Sequence, residues 1–232
     1  MTFQRRRSIS CRGPLFWLIL TAGLIPNASG QSGAGANRQP ILMDRQKEIA
    51  LALSACPASV ADKAAVYVLE RTGYIKVRES HNGFTAIVQH ALPNSQDPQC
   101  MDAEGARTFL PRYLKMAEWR AQGKSAAEIR ALVAEALATG SLQSPTKPGI
   151  DYMLSTQNLT PNAKGEIVPF PPHVMFYAPY KTNADLGLSG ALGPDGNPDG
   201  PVFVAGEGTP YALIIVPVGD RGASHTHPKQ PE

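Results

Sequence analysis

Two short segments place ionisable and aromatic side chains at spacings that could do chemistry. In His173-Val-Met175-Phe-Tyr177 the two-residue period of a strand puts His173, Met175 and Tyr177 on one face. Val174, Phe176 and Ala178 then fill the opposite face, taken as the core side. An imidazole, a thioether and a phenol side by side make an apolar wall with a few polar groups, as small-molecule pockets have. Tyr180 and Asn183 follow in a short loop, and Glu207-Gly-Thr-Pro210 adds a carboxylate. The second segment holds Glu79 and His81. A carboxylate in apolar surroundings is pushed up in pKa and can orient an imidazole. If Glu79 and His81 met His173 or Glu207, the group could act as a general acid–base pair. The plainer readings are a packed strand face with His173 merely hydrogen-bonded, and a solvated turn carrying Glu79 and His81.

Asp195-Gly-Asn197-Pro-Asp199-Gly200 has the alternating oxygen ligands and sharp glycine turn of a calcium loop. Asp195, Asn197 and Asp199 are therefore the candidate metal ligands, with calcium the one cofactor considered. The twelfth position, which should bring a bidentate Glu, is Gly206, with Glu207 one place late. The competing reading is a Gly/Pro/Asp turn between strands. His225 and His227 supply two ligands where structural and catalytic metals take three or four. Gly123-Lys124-Ser125 imitates the end of a phosphate loop, but Glu118 stands where its first glycine is required. Gly187-Leu-Ser189-Gly190-Ala191 lacks the last glycine of a nucleophile elbow.

The elements that must position these residues follow from period and punctuation. Asp44 can cap a helix to about Ala55, with Ile49, Ala52, Leu53 and Cys56 as its apolar stripe. Residues 65–69 then read as a strand. Residues 74–79 and 84–89 read as a hairpin around Asn82-Gly83, because a type I′ turn needs positive φ at both central positions. That register would put Ile75, Val77, Glu79 and His81 with Phe84, Ala86 and Val88 on one face. Residues 91–100 read as a loop. A helix from Asp102, interrupted or restarted at Pro111, stops at Gly123 and shows Leu110, Tyr113, Leu114 and Ala117 as its stripe. Ser125-Ala-Ala-Glu128 is a capping box for a second helix that should bury Ile129, Leu132, Val133 and Leu137. Strands return at 150–154, 173–178, 202–205 and 211–216, and Asn183 could cap a short turn. Strands, a helix pair and strands again give an α+β fold: a mixed or antiparallel sheet with a helix pair packed on it.

Charge and cysteines speak to compartment. The chain has 232 residues, 43% hydrophobic and 18% charged, which excludes a collagen, a coiled coil and a wholly disordered chain. Residues 1–30 hold Arg5, Arg6, Arg7 and Arg12 and no acid, so the remainder carries 18 bases against 19 acids. With no basic cluster beyond residue 30, nucleic acid is not an expected partner. Arginines, an 11-residue apolar run from Leu15 to Ile25, and Ala28-Ser-Gly30 read as a signal peptide over 1–30, cleaved before Gln31. An uncleaved anchor is the competing reading, although the run is short of the roughly 20 residues a span takes. A flexible linker over 31–40, one domain over 41–220 and a disordered tail over 221–232 complete the expected organisation. Outside the cytoplasm, periplasmic or extracellular, Cys56 and Cys100 favour a disulfide over two buried thiols. Such a bridge would stabilise the fold by ~4 kcal/mol on the chain-entropy account.

The runs Asn82-Gly-Phe84, Asp102-Ala-Glu-Gly105, Pro172-His-Val-Met-Phe-Tyr-Ala-Pro-Tyr180 with Asn183-Ala-Asp185, and Glu207-Gly-Thr-Pro210 resemble those of an uncharacterised family of exported bacterial proteins, over about residues 45–218. The resemblance implies export and no mechanism. The functional expectation is an exported accessory domain binding a small molecule or a partner protein. Its pocket is expected from Glu79, His81, His173, Tyr177, Tyr180 and Glu207. The alternative is a cofactor-free hydrolase or lyase working by His/Glu acid–base chemistry.

Overall fold

The structure, a computed structural model, describes residues 40–162, 164–188 and 202–218. The expected signal peptide, the linker up to residue 39, the tail with the histidines at 225 and 227, and the loop with Asp195, Asn197 and Asp199 lie outside the described residues.

Helices α1 (Arg45–Ser54) and α2 (Ala58–Ala61) come first. Strands β1 (Ala65–Glu70), β2 (Gly73–Arg78), β3 (Thr85–Gln89) and β4 (Asp97–Met101) follow, then helices α3 (Ala103–Ala121) and α4 (Ala126–Ala138). The remaining strands are β5 (Ile150–Met153), β6 (Leu159–Pro161), β7 (Ile167–Pro169), β8 (His173–Tyr177), β9 (Phe203–Ala205) and β10 (Leu213–Pro217). Eight strands form one sheet in the order β2-β1-β3-β4-β5-β8-β10-β9, and β6 pairs with β7 in a small hairpin. Only β1 and β3 run parallel, so the sheet is mixed and the fold is α+β as expected.

The helix caps follow the sequence closely. Asp44 accepts from the N–H groups of Gln46 and Lys47, and Ser125 with Glu128 closes a full capping box. Asp102 caps α3 through Gly105 N–H, and α3 runs unbroken through Pro111. The buried stripe of α1 is Glu48, Leu51, Ala52 and Ala55, one residue back from the predicted one, with Ile49 and Leu53 half-buried. Helix α4 buries only Ile129, while Leu132, Val133 and Leu137 stay half-buried.

The predicted hairpin around Asn82-Gly83 does not form. Strand β2 turns back on β1 through Arg71 and Thr72, and β3 lies on the far side of β1. Gly73 completes that turn at φ 135°, a conformation that disfavours side chains. Asn82 instead shapes the β2–β3 connection, its amide donating to Val60 O and its carbonyl accepting from Phe84 N–H. The parallel pair holds only at Ala65 and Val66 before the strands part. In the gap, Leu69 N–H donates to Glu48 Oε1 at 2.8 Å, and the Tyr74 hydroxyl donates to Val88 O at 2.7 Å. These bonds satisfy backbone groups that no strand reaches.

Residues 97–101, of which 97–100 read as loop from the sequence, form a fully buried central strand. Pro98 is tolerated there for a geometric reason. Cys100 N–H points toward β5, where Asp151 Oδ1 accepts it. Pro98 faces the same way, beyond the last β5 pair at Cys100, so its missing N–H leaves no ladder bond unmade.

The sheet has two covered faces. On one, α1 packs Leu51, Ala52 and Ala55 on Val66, Ala86, Val88 and Cys100, with the Cys56–Cys100 disulfide inside this core. On the other, α3 packs Phe109, Leu110 and Tyr113 over Ile87, Met101 and Tyr177. Phe109 stacks on Tyr177 at 5.0 Å and meets Tyr211 edge-on at 5.2 Å. The Tyr177 ring is wedged against two glycines. A Cβ at Gly105 would lie 2.1 Å from the Tyr177 hydroxyl, and one at Gly149 would lie 2.5 Å from its ring. His173, Met175 and Tyr177 are therefore the buried face of β8, and Phe176 is 44% exposed, the reverse of the predicted sides.

Candidate functional site

Strand pairing aligns a row of polar side chains on the α3 side of the sheet. Gln89 pairs with Asp97, Ile87 with Gln99, and Met153 with His173. Alternation then puts Gln89, Asp97, Gln99, Met153 and His173 on one face. Helix α3 covers the neighbouring Ile87 and Met101 but not this end. A cavity of about 200 Å³ remains, with Asp97, Gln99, Gln89 and His173 as its polar lining. Met153, Met175, Phe203 and Ile215 form its apolar floor, and Thr160, Pro161 and Phe170 reach over it from the β6–β7 hairpin.

Asp97 is the chemically distinctive group. Its Oδ2 accepts from the Ser95 hydroxyl at 3.2 Å and from Ala91 N–H at 3.4 Å, while Oδ1 is buried without a hydrogen-bond partner. Burial pushes its pKa up to about 7, partly opposed by those two bonds. Gln99 Oε1 is likewise buried and unpartnered, with its side chain beside the Tyr113 hydroxyl. His173 Nδ1 lies 2.8 Å from the Pro171 carbonyl. A carbonyl only accepts, so this nitrogen carries the proton, and in the neutral ring Nε2 holds the lone pair. Phe170 meets the imidazole edge-on at 4.8 Å and holds it in place. His90, whose Nδ1 lies 2.6 Å from Ser95 O, supports the Ala91–Gln96 stretch that bonds Asp97, and burial lowers its pKa. A buried carboxyl titrating near neutrality in the same cavity as an oriented imidazole can bind donors or move protons.

Of the predicted pocket residues, only His173 lines this cavity. Glu79 is exposed and pairs with Lys76 at 3.0 Å. His81 is exposed, its backbone N–H bonding Lys63 O. Four strands separate β2 from β8, ~24 Å across the sheet, so Glu79 and His81 do not meet His173. Tyr177 donates its hydroxyl to Ile150 O at 3.1 Å and is consumed by packing. Tyr180 is 64% exposed, and its N–H bonds Thr209 O. Glu207 Oε1 accepts from Asn183 N–H at 2.5 Å. Tyr180 and Glu207 thus come together in one loop pair beyond the Tyr177 end of β8, away from His173. Among the described residues no group of three or more His, Cys, Asp or Glu could hold a metal ion.

A larger cavity, about 320 Å³, lies beside the β1–β2 turn. Tyr74 bonds Val88 O there and Arg120 bonds His90 O and Ala91 O, while Glu70 and Arg71 on its lining are exposed. The Asp97 cavity is therefore the better candidate. Among the described residues no helix is long and apolar enough to cross a membrane. The chain matches no protein-family model, no curated protein and no solved structure.

Proposed function

We propose that this is an exported accessory domain that binds a small molecule in the cavity formed by Asp97, Gln99, His173 and the β6–β7 hairpin. One observation carries the reading: Asp97 and Gln99, two residues of the same apolar-walled cavity, each carry a buried acceptor, Oδ1 and Oε1, with no hydrogen-bond partner. Buried polar atoms are nearly always paired, and an orphaned one costs ~1–3 kcal/mol, which a bound donor recovers. The arginine-then-apolar N-terminus supports export, and the disulfide fits an oxidising compartment. The near-neutral balance of charge beyond residue 30 speaks against nucleic acid as the partner.

A second reading has its own observation. Asp97 titrates near neutrality in the cavity that holds His173, as a general acid or base would. This moves the acid–base alternative from Glu79 and His81 to Asp97 and His173. The readings separate by product formation.

Met153→Trp, which fills the floor of the cavity, tests both. In a thermal-shift screen of small amphiphilic compounds, any hit of the native protein should vanish in Met153→Trp while the variant still melts cooperatively. A hit that survives the substitution places binding elsewhere and defeats the cavity reading.

A further inference from the structure

The two orphaned atoms in the cavity share a property: both are acceptors, and one belongs to a carboxyl group. Asp97 is 4% exposed and Gln99 6%, so water cannot serve these atoms as it serves a surface group. No Lys or Arg lines the cavity, so a negative charge on Asp97 meets no counter-charge there. A bound carboxylate or phosphate would face an acid and a second acceptor with no cation to hold it. A neutral hydroxyl has one proton to give, too few for two acceptors at once. A primary ammonium has three donors and no acceptor, which matches this set. Beside the polar Gln89, Thr160 and His173, the lining offers Met153, Met175, Phe170, Phe203 and Ile215, which suit one compact apolar group. At about 200 Å³ the cavity lies below the roughly 300 Å³ at which drug-sized pockets begin.

We propose that the ligand is a small primary amine in its ammonium form, carried on a compact apolar body, with the ammonium held by Asp97 Oδ1 and Gln99 Oε1. This rests on the cavity being the binding site. Asp97 supplies the charge, Gln99 directs it, and the aromatic and thioether side chains take the apolar body. Burial keeps the Asp97 carboxyl near half-ionised at neutral pH, and an adjacent ammonium draws it to the charged form.

The test is isothermal titration at pH 7.5 of protein purified after expression of the full chain. The probes are isobutylamine, cyclohexylamine and benzylamine, with benzyl alcohol and benzoate as partners of matched shape. At least one amine is expected to bind, benzylamine at least tenfold tighter than benzyl alcohol, with benzoate silent. Asp97→Asn should weaken the amine at least tenfold and leave benzyl alcohol within threefold. If Asp97→Asn does not fold, Gln99→Met should weaken the amine at least threefold, with thermal melting as the check on folding. Met153→Trp should abolish binding of every probe. Equal or tighter binding of benzyl alcohol, lost in Met153→Trp, overturns the ammonium reading and leaves the cavity standing. Amine binding that survives Met153→Trp overturns the cavity as well, and no binding by any amine overturns the proposal.

Discussion

The α3 side of the sheet is built as two unlike ends. At one end Phe109, Tyr113, Tyr177 and Tyr211 close over Ile87 and Met101 with ring contacts of 5.0 to 6.2 Å. At the other, the same strands continue as Gln89, Asp97, Gln99, Met153 and His173, and only a short hairpin reaches over them. Alternation along the strands is unbroken across both. What changes is the cover: a 19-residue helix with a continuous aromatic stripe against two three-residue strands. Both ends hold buried polar atoms without a partner: Arg112 Nε and Asp151 Oδ2 at the covered end, Asp97 Oδ1 and Gln99 Oε1 at the other. Only the second pair belongs to residues that line a cavity, and that difference marks the candidate site.

That contrast can be broken most forcefully at Phe109, which is 1% exposed. Phe109→Ala should cost roughly 3–5 kcal/mol in denaturant unfolding, the range for emptying a well-packed aromatic site. A loss below ~1 kcal/mol would mean that the covered end is not the rigid one.

Asp97 sharpens the contrast through pH. Its folded pKa, about 7, lies above its ordinary value of 3.8, so the folded state holds a proton the unfolded chain gives up. The associated stability is fully present below pH 4 and is lost as pH rises through about 7. Between pH 5 and 8 this amounts to about 2–3 kcal/mol. Asp97→Asn should flatten unfolding free energy against pH by that amount. The slope that remains belongs to Glu48, also pushed up to about 7 by burial, to Asp151, raised by the same cause, and, with the opposite sign, to His90, lowered by burial. An unchanged slope in Asp97→Asn would show that Asp97 is not the buried carboxyl described.

The smallest effect is expected at Met153. Met153→Leu conserves volume and sits against open space, so it should cost under ~1.5 kcal/mol while moving ligand affinity more than stability. A loss as large as that of Phe109→Ala would mean the cavity end is packed like the other.

Much of this architecture is written locally. Asp44, Asp102 and Ser125 with Glu128 mark their helix starts because capping needs only neighbours in sequence. The α+β class follows from period and composition, and the Cys56–Cys100 bridge is expected from the two cysteines left beyond residue 30 and the export reading. What escaped depends on partners far along the chain. Asn82-Gly83 makes a turn, but no turn signal says that β1 will come between the strands it joins. Glu48 is drawn inside by Leu69 N–H, which hydrophobic period cannot see. Asp97 hides in a stretch with the composition of a loop, since Pro98 is acceptable only where β5 stops short. A signal was present: Asp97, Gln99 and Met101 alternate with Pro98 and Cys100, and a bridged Cys100 implies a strand in the core. His173 was visible as a candidate, but on the face read as the outer one.

The wedge of Tyr177 between Gly105 and Gly149 bears on how such a chain can vary over generations. A side chain at 149 meets ring carbons at 2.5 and 2.6 Å and Asp102 Oδ2 at 2.7 Å. One at 105 meets the Met101 Cβ at 2.6 Å as well as the hydroxyl, so shrinking Tyr177 alone does not open it. Positions 105 and 149 are thus closed to single steps of drift. Met153 and Met175 can exchange among apolar residues one at a time. Divergent descendants should inherit the two glycines of the wedge and differ in the lining of the cavity, so that the cavity's shape is the property free to change while the scaffold beneath it stays fixed.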